Sequence, residues 1–192
     1  GAGGRIAVYS NDLAPAVHFS VTPGTGGNPG GIGTVYMDRV DPSLSQVDIS
    51  PATITADNTD IATVTVTLLN ADGYPVPGRP ISIAVLSGSG LYINNQLAEP
   101  NQYISIGMTN TSGVATGMLR GTRAGARTIV ARSGEEPITD QGTVTLTAGP
   151  ASPTLSQLSV DAAEFPADGA TPATFTVTAL DAYSNPIVGA TV

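Results

Sequence analysis

Carboxylates are the side chains whose spacing comes closest to a chemical site in this sequence. Asp57, Asp60 and Asp72 flank strand-like segments, and Asp168 and Asp181 occupy related places further along the chain. Several carboxylate and carbonyl oxygens at about 2.3 to 2.6 Å are the ligands that calcium prefers. The sequence contains no D-x-D-x-D-G loop, so the alternative interpretation is that these residues cap turns and strand ends.

The other residue types leave little room for catalysis. His18 is the one histidine and Cys is absent, so a Cys-His or zinc site is impossible in this sequence. A Ser-His-Asp triad would need His18 in a cleft beside an exposed serine, and a strand histidine is the alternative. The glycines between positions 24 and 33 do not follow a strand and open a helix, so they predict a loop instead of a phosphate-binding turn. We therefore predict no catalytic residue and no cofactor.

Arginine and tyrosine side chains are the candidates for contact with another surface. They are Tyr74, Tyr92, Tyr103, Arg120, Arg123, Arg127 and Arg132. Arginine pairs with carboxylates in a bidentate way and stacks on aromatic rings, so the four arginines around one predicted hairpin suit an intermodule or intersubunit contact. The alternative is that their charge protects a sheet edge from unwanted pairing. For Tyr92 and Tyr103, core packing is the alternative to a glycan or protein contact.

Composition limits the class of partner and the cellular location. Charged residues make up 11% of the 192 residues, the formal net charge is −8, and all seven basic residues are arginines. An acidic chain without a basic patch is not expected to bind nucleic acid. No apolar run approaches the roughly 20 residues of a membrane helix. The combination of no Lys, no Cys, an acidic balance and threonine-rich strands is typical of a bacterial extracellular repeat protein.

The elements that must position these residues are strands. Val64, Val66 and Leu68 alternate with threonines, which is the pattern of a half-buried strand. Further strands are predicted at 47–50, 80–86, 103–109, 114–120, 127–132 and 143–148, each followed by turn residues. About seven strands in about 105 residues predict an all-β, immunoglobulin-like sandwich. Its predicted core comprises Val47, Val64, Val66, Leu68, Ile83, Val85, Ile106, Leu119, Ile129 and Val144.

An internal repeat sets the domain organisation. Residues 45–81 align without a gap to residues 156–192, with about 14 identities in about 37 positions. We therefore expect a tandem array, with one sandwich at 45–149 and the first strands of a second at 156–192. The stretch 149–153, with Pro150 and Pro153, predicts a short and stiff linker. The second copy needs the rest of its own chain or strands from a neighbouring subunit to cover its apolar face, and both remain open.

Residues 45–149 resemble the bacterial immunoglobulin-like domains of the invasin and intimin type. The matching motifs are S-P-A-T-I-T-A-D at 50–57, A-T-V-T-V-T at 62–67, N-A-D-G-Y-P-V-P-G at 70–78, T-N-T-S-G-V-A at 109–115 and T-V-T-L-T-A-G at 143–149. The resemblance implies a rigid extracellular spacer or adhesin-stalk module without catalytic residues. Where the family often has a polar residue this chain has Tyr74, and the second copy has Tyr183 to Asn185 in the same connection.

Residues 1–40 differ from the rest in being rich in glycine. They resemble the end of a glycine-rich, β-helix-like region, and a hairpin there would cap a larger β-structure. We thus predict a non-catalytic structural or adhesive part of a large bacterial surface protein, serving as stiff spacer or filament component. Its partners would be neighbouring modules or subunits, or a host or glycan ligand. The alternatives are an accessory module of a carbohydrate-active enzyme and a phage or virion decoration domain.

Overall fold

The structure, a computed structural model, describes residues 7–8, 36–37 and 39–191. Strand β1 (Ala7–Val8) pairs with β2 (Tyr36–Met37) in parallel, with Ala7 beside Tyr36. The prediction of a hairpin is therefore wrong at these positions. The strands of a hairpin are antiparallel, whereas parallel strands need a crossover connection of a dozen or more residues. The remainder of the glycine-rich stretch 1–40, with His18 and the glycines between 24 and 33, lies outside the described residues.

Ten strands between residues 46 and 147 form two five-stranded sheets, and the described residues contain no helix. The first sheet has the order β3-β5-β10-β7-β8. Its strands are β3 (Gln46–Ser50), β5 (Ala62–Thr67), β7 (Leu91–Ile93), β8 (Gln96–Leu97) and β10 (Val114–Gly121). All its pairs are antiparallel. Strand β10 thus lies at the centre of the first sheet.

The second sheet has the order β4-β12-β11-β6-β9. Its strands are β4 (Thr53–Thr55), β6 (Pro80–Val85), β9 (Ile104–Met108), β11 (Gly125–Ser133) and β12 (Glu136–Thr147). The chain changes sheet between β3 and β4, where Pro51 has no N–H to give to a ladder. Strand β4 pairs with β12 in parallel, and the other pairs are antiparallel.

The core lies between the two sheets. All ten residues predicted for it are buried, so the period-two interpretation is confirmed. Val64, Val66 and Leu68 are fully buried, whereas Thr63 on the opposite face of β5 is exposed. The two sheets packed face to face around this core confirm the all-β, immunoglobulin-like fold class.

Three strands of the sandwich were not expected from the sequence. They are β4, β7 and β8, which are only two or three residues long. Strands β7 and β8 join through Asn94 and Asn95, both with φ in the left-handed region, at 47° and 69°. Two consecutive left-handed residues form the primed turn of a tight hairpin, a geometry that asparagine tolerates. Strands this short carry too little alternation to be recognised by period.

The second repeat forms an antiparallel pair, β13 (Gln157–Val160) and β14 (Phe175–Thr178). Leu158 and Val177 take the repeat positions of Val47 and Val66, which are buried in the first copy. In the second copy they are 68% and 45% exposed. The same alternation is therefore present, but within the described residues no second sheet packs on it.

No helix among the described residues is both long and apolar enough to cross a membrane.

Candidate intermodule interface

A five-residue turn, closed by the side chain of its first residue, is repeated in both copies. In the first copy the Asn70 Oδ1 accepts hydrogen bonds from the N–H groups of Asp72 and Tyr74, at 3.1 and 2.9 Å. In the second copy the Asp181 Oδ1 accepts from those of Tyr183 and Asn185, both at 2.8 Å. This is the side-chain mimicry of a backbone turn that Asn and Asp favour. We refer to residues 181–185 as the docking turn.

Asp181 also accepts two hydrogen bonds at its other carboxylate oxygen. Its counterpart Asn70 has an NH2 donor in that place and cannot accept them. The Asp181 Oδ2 accepts the Gly149 N–H at 3.0 Å and the Asn185 Nδ2–H at 2.8 Å. The side chain is buried, with the residue 1% exposed. Burial raises the pKa of Asp181, but the hydrogen bonds from Asn185, Gly149 and Tyr183 outweigh it and hold the pKa below the ordinary value. The carboxylate therefore stays ionised while it joins the linker to the docking turn.

Asn185 connects the docking turn to the first sandwich. Its Oδ1 accepts the Ala124 N–H at 2.9 Å, and its Nδ2 donates to the Thr122 carbonyl at 2.9 Å. Both partners belong to the β10–β11 turn, which we name the socket (residues 122–124). Asn185 is 3% exposed, so the amide is desolvated and its hydrogen-bonding groups are paired. The two copies thus meet directly, through a polar contact.

The linker is itself held against the second copy. The Ser152 N–H donates to the Leu180 carbonyl at 2.7 Å, and the Ser156 Oγ accepts the Leu180 N–H at 3.1 Å. In the first copy the Asp41 N–H donates to the Leu69 carbonyl at 2.7 Å, and the Ser45 Oγ accepts the Leu69 N–H at 3.1 Å. The repeat therefore reproduces the same entry of the chain into each module.

Two of the candidate arginines stack on two of the candidate tyrosines. The Arg120 guanidinium lies 5.7 Å from the centroid of the Tyr92 ring, and that of Arg132 lies 4.1 Å from the Tyr103 ring. All four residues are half-buried. Arg120 is on β10 and Arg132 on β11, which are interior strands of different sheets. Protection of a sheet edge therefore does not describe these two arginines.

The other two arginines lie at the socket end of the sandwich. Arg127 is buried, and its Nη2 donates to the carbonyls of Ser89 and Arg123, at 3.1 and 3.3 Å. A side chain at Gly88 would have its Cβ 2.5 Å from the Arg127 Nε, so this glycine makes room for the guanidinium. Arg123 is exposed within the socket. Tyr74, the remaining candidate, is 63% exposed.

Two of the candidate calcium ligands, Asp57 and Asp60, accept hydrogen bonds from backbone N–H groups. The Asp57 Oδ1 accepts the N–H groups of Thr59 and Asp60, both at 2.8 Å, and the Asp60 Oδ2 accepts the Thr55 N–H at 2.8 Å. The hydrogen bonds from the Asp60 and Thr59 N–H groups hold the pKa of Asp57 below its ordinary value. Asp72 is exposed on its turn. Within the described part of the chain no three acidic or histidine side chains are placed to share a metal ion.

Asn185 and the socket were missed by reasoning from the sequence. The alignment of the repeats contained only a weak signal, since Tyr74 and Asn185 differ in type but so do the other residues of the turn except Ala71 and Ala182. Asp181, considered as an oxygen ligand for calcium, instead ties the linker to this turn.

The chain belongs to a known family of immunoglobulin-like sandwiches. Residues 41–149 match the family described as invasin, domain 3, which confirms the resemblance to invasin-type domains. A comparison with curated proteins found no match.

Solved structures of bacterial surface proteins share the fold. Invasin, a bacterial integrin-binding protein, aligns with a TM-score of 0.61 at 21% identity, over 81% of this chain and 30% of that chain. The Escherichia coli adhesin FdeC aligns with a TM-score of 0.56 at 21% identity, over 85% and 50%. InvD of Yersinia pseudotuberculosis aligns with 0.54 at 28% identity, over 76% and 40%. The chain thus spans half or less of each of these structures.

Proposed function

We propose that this chain is a non-catalytic structural and adhesive segment of a bacterial extracellular surface protein, in which sandwich modules are held end to end as a stiff spacer. The observation that carries the proposal is the contact between the copies. Asn185 and Asp181 of one copy pair with the socket and with Gly149 at the end of the other. Membership of the invasin domain 3 family supports the surface location.

The proposed organisation has three parts: a glycine-rich end at 1–40, one sandwich at 45–149 and the beginning of a second at 156–192. The repeated entry geometry at Leu69 and Leu180 supports the second boundary. Parallel pairing of β1 with β2 supports a β-helix-like first part, since coils of a parallel β-helix stack through parallel strands.

The partners we propose are proteins. The first proposed partner is a neighbouring module, because the two copies within this chain already contact each other. A host protein is the second, since invasin is an integrin-binding protein, but no residue of this chain is assigned to such a ligand. The arginine and tyrosine candidates remain proposals for contact, with Tyr74 and Arg123 the most accessible of them.

Small-angle X-ray scattering on the full chain tests the stiff spacer. Modules held end to end give an elongated particle, with a pair-distance distribution that extends well past the diameter of one sandwich. A broad, compact ensemble would refute the stiff spacer, because freely hinged modules sample short separations. Labelling of intact source bacteria with an antibody against the sandwich tests the surface location. Signal only after lysis would contradict it.

A further inference from the structure

We propose that the residue at the fifth position of the docking turn decides whether a module docks onto the sandwich before it. Asn185 is then the docking residue and the socket its receptor. This rests on the proposed function, and adds to it the residue that selects where a fixed joint forms.

The side-chain amide of Asn185 bonds to the socket as a residue of one strand bonds to a neighbouring strand, through one N–H and one carbonyl. Asn185 presents one acceptor to the Ala124 N–H and one donor to the Thr122 carbonyl, so one planar amide pairs with two backbone groups of the socket at once. The Asp181 carboxylate has only acceptors, and its Oδ2 lies 2.8 Å from the Asn185 Nδ2. The carboxylate therefore fixes which way the amide faces, with its oxygen toward Ala124.

The two copies differ at the one position of the turn whose side chain reaches the socket. The first copy has Tyr74 where the second has Asn185, although Asn70 closes the same turn there. A phenol cannot pair at once with an N–H and with a carbonyl two residues apart in the way that a planar amide does. Tyr74 is 63% exposed, whereas Asn185 is 3% exposed. On this chemistry a tyrosine at the fifth position is not expected to fill a socket of this kind.

Amide hydrogen exchange on the full chain tests the proposal at the socket itself. In Asn185→Ala the Ala124 amide should exchange about tenfold faster, the effect of losing roughly one hydrogen bond. The backbone amide of residue 185 donates to the Asp181 Oδ1 and should keep its protection, which shows that the turn remains. Asn185→Tyr should give the same result, since the first copy forms this turn with a tyrosine in that place.

Paired spin labels report the joint independently. The chain has no cysteine, so Thr116→Cys on β10 and Thr176→Cys on β14 provide unique attachment sites. We expect a narrow distance distribution in the parent chain and a broader one in both Asn185 variants. A second pair, Ser159→Cys with the exposed Val188→Cys, lies within the second copy and outside the docking turn, and its distance distribution should stay narrow throughout.

Each outcome decides the proposal. Unchanged Ala124 exchange in the Asn185 variants, with narrow distances throughout, would overturn the role of Asn185 and leave the stiff spacer intact. A broad intermodule distance in the parent chain would overturn both. Loss of protection at the residue 185 amide in both variants would show that Asn185 supports the turn rather than docking, which also overturns the inference.

Discussion

A side-chain oxygen closes the same five-residue turn three times within residues 39–191. Asn110 repeats the pattern of Asn70 and Asp181, accepting the N–H groups of Ser112 and Val114 at 2.9 and 3.1 Å. The fourth residue of each turn is left-handed: Gly73 at φ 78°, Gly113 at 73° and Ser184 at 63°. Asparagine or aspartate first and glycine fourth therefore suit this turn for the physical reasons that govern tight turns generally.

Gly113 and Gly73 make a matched pair for testing this turn. Both have left-handed φ, but a Cβ at Gly113 would lie 2.6 Å from the Leu68 carbonyl oxygen, whereas one at Gly73 meets nothing within 4 Å. We expect Gly73→Ala to lower the free energy of unfolding by about 1 kcal/mol, from backbone strain alone. Gly113→Ala should cost about 3 kcal/mol, because overpacking adds to that strain. Urea denaturation measures both, and equal losses would contradict the crowding at Gly113.

Asp181 makes the docking turn sensitive to acid. Its pKa in the folded chain lies below the ordinary value of 3.8, so its contribution is complete above that value and is lost as pH falls through the lower one. The Gly149 amide proton, bonded to this carboxylate, should shift in an NMR titration with a midpoint below 3.8. Asp181→Asn is the control and should abolish that shift. A midpoint above 3.8 would mean that burial outweighs the hydrogen bonds.

One arginine side chain crosses a neighbouring strand and so connects the interior of the second sheet to its edge. Strand β9 is the edge of the second sheet, and Arg132 of β11 reaches the Tyr103 ring just before it. The intervening strand β6 places the small Ser82 beside Arg132, which leaves room for the guanidinium to pass. Arg132 and Tyr103, two of the predicted contact residues, therefore stabilise the module in which they lie.

Replacement of Arg132 tests that support. Arg132→Ala should lower the free energy of unfolding by about 1 kcal/mol through the lost cation–π contact, and should speed exchange at the β9 amides. Glu135→Ala is the control, since it removes only the ion pair to Arg132, at 3.0 Å with Glu135 87% exposed. Exposed pairs contribute about 0 to 1 kcal/mol, so a loss of only a few tenths is expected there. A larger effect for Glu135→Ala than for Arg132→Ala would contradict the assignment.

The joint and the sandwich core differ in kind. The core between the two sheets is apolar, whereas the contacts from Asp181 and Asn185 to the first sandwich and its linker are three hydrogen bonds. Hydrogen bonds fix direction but contribute only about 0.5 to 1.5 kcal/mol each net of competing water, and about 1.5 to 3 kcal/mol where one partner is charged. The joint should thus set the orientation of adjacent modules while each module supplies its own stability.

Shortening the chain to residues 39–152 tests this division. The sandwich should fold and should lose no more than about 3 kcal/mol of its free energy of unfolding, because only the three hydrogen bonds of the joint are removed. Denaturation monitored by tyrosine fluorescence measures the change. Failure of the shortened chain to fold would show that the sandwich depends on its neighbour, contrary to this expectation.

The sequence alone determined the strands that alternate strongly, the buried face of each and the repeat. These depend on local periodicity, as Val64, Val66 and Leu68 illustrate, and a period of two leaves a strand only one face to bury. The asparagine- and glycine-containing turns are local too, which is why they were predicted with the strands.

Only the tertiary structure decided which residues join the copies. Asn185 and Thr122 are far apart in sequence, and the pairing depends on how the linker returns the docking turn to the end of the first sandwich. No local pattern distinguishes an asparagine that caps its own turn from one that reaches another module. The Arg–Tyr stacks were hidden for the same reason, because they depend on strand order and not on strand type.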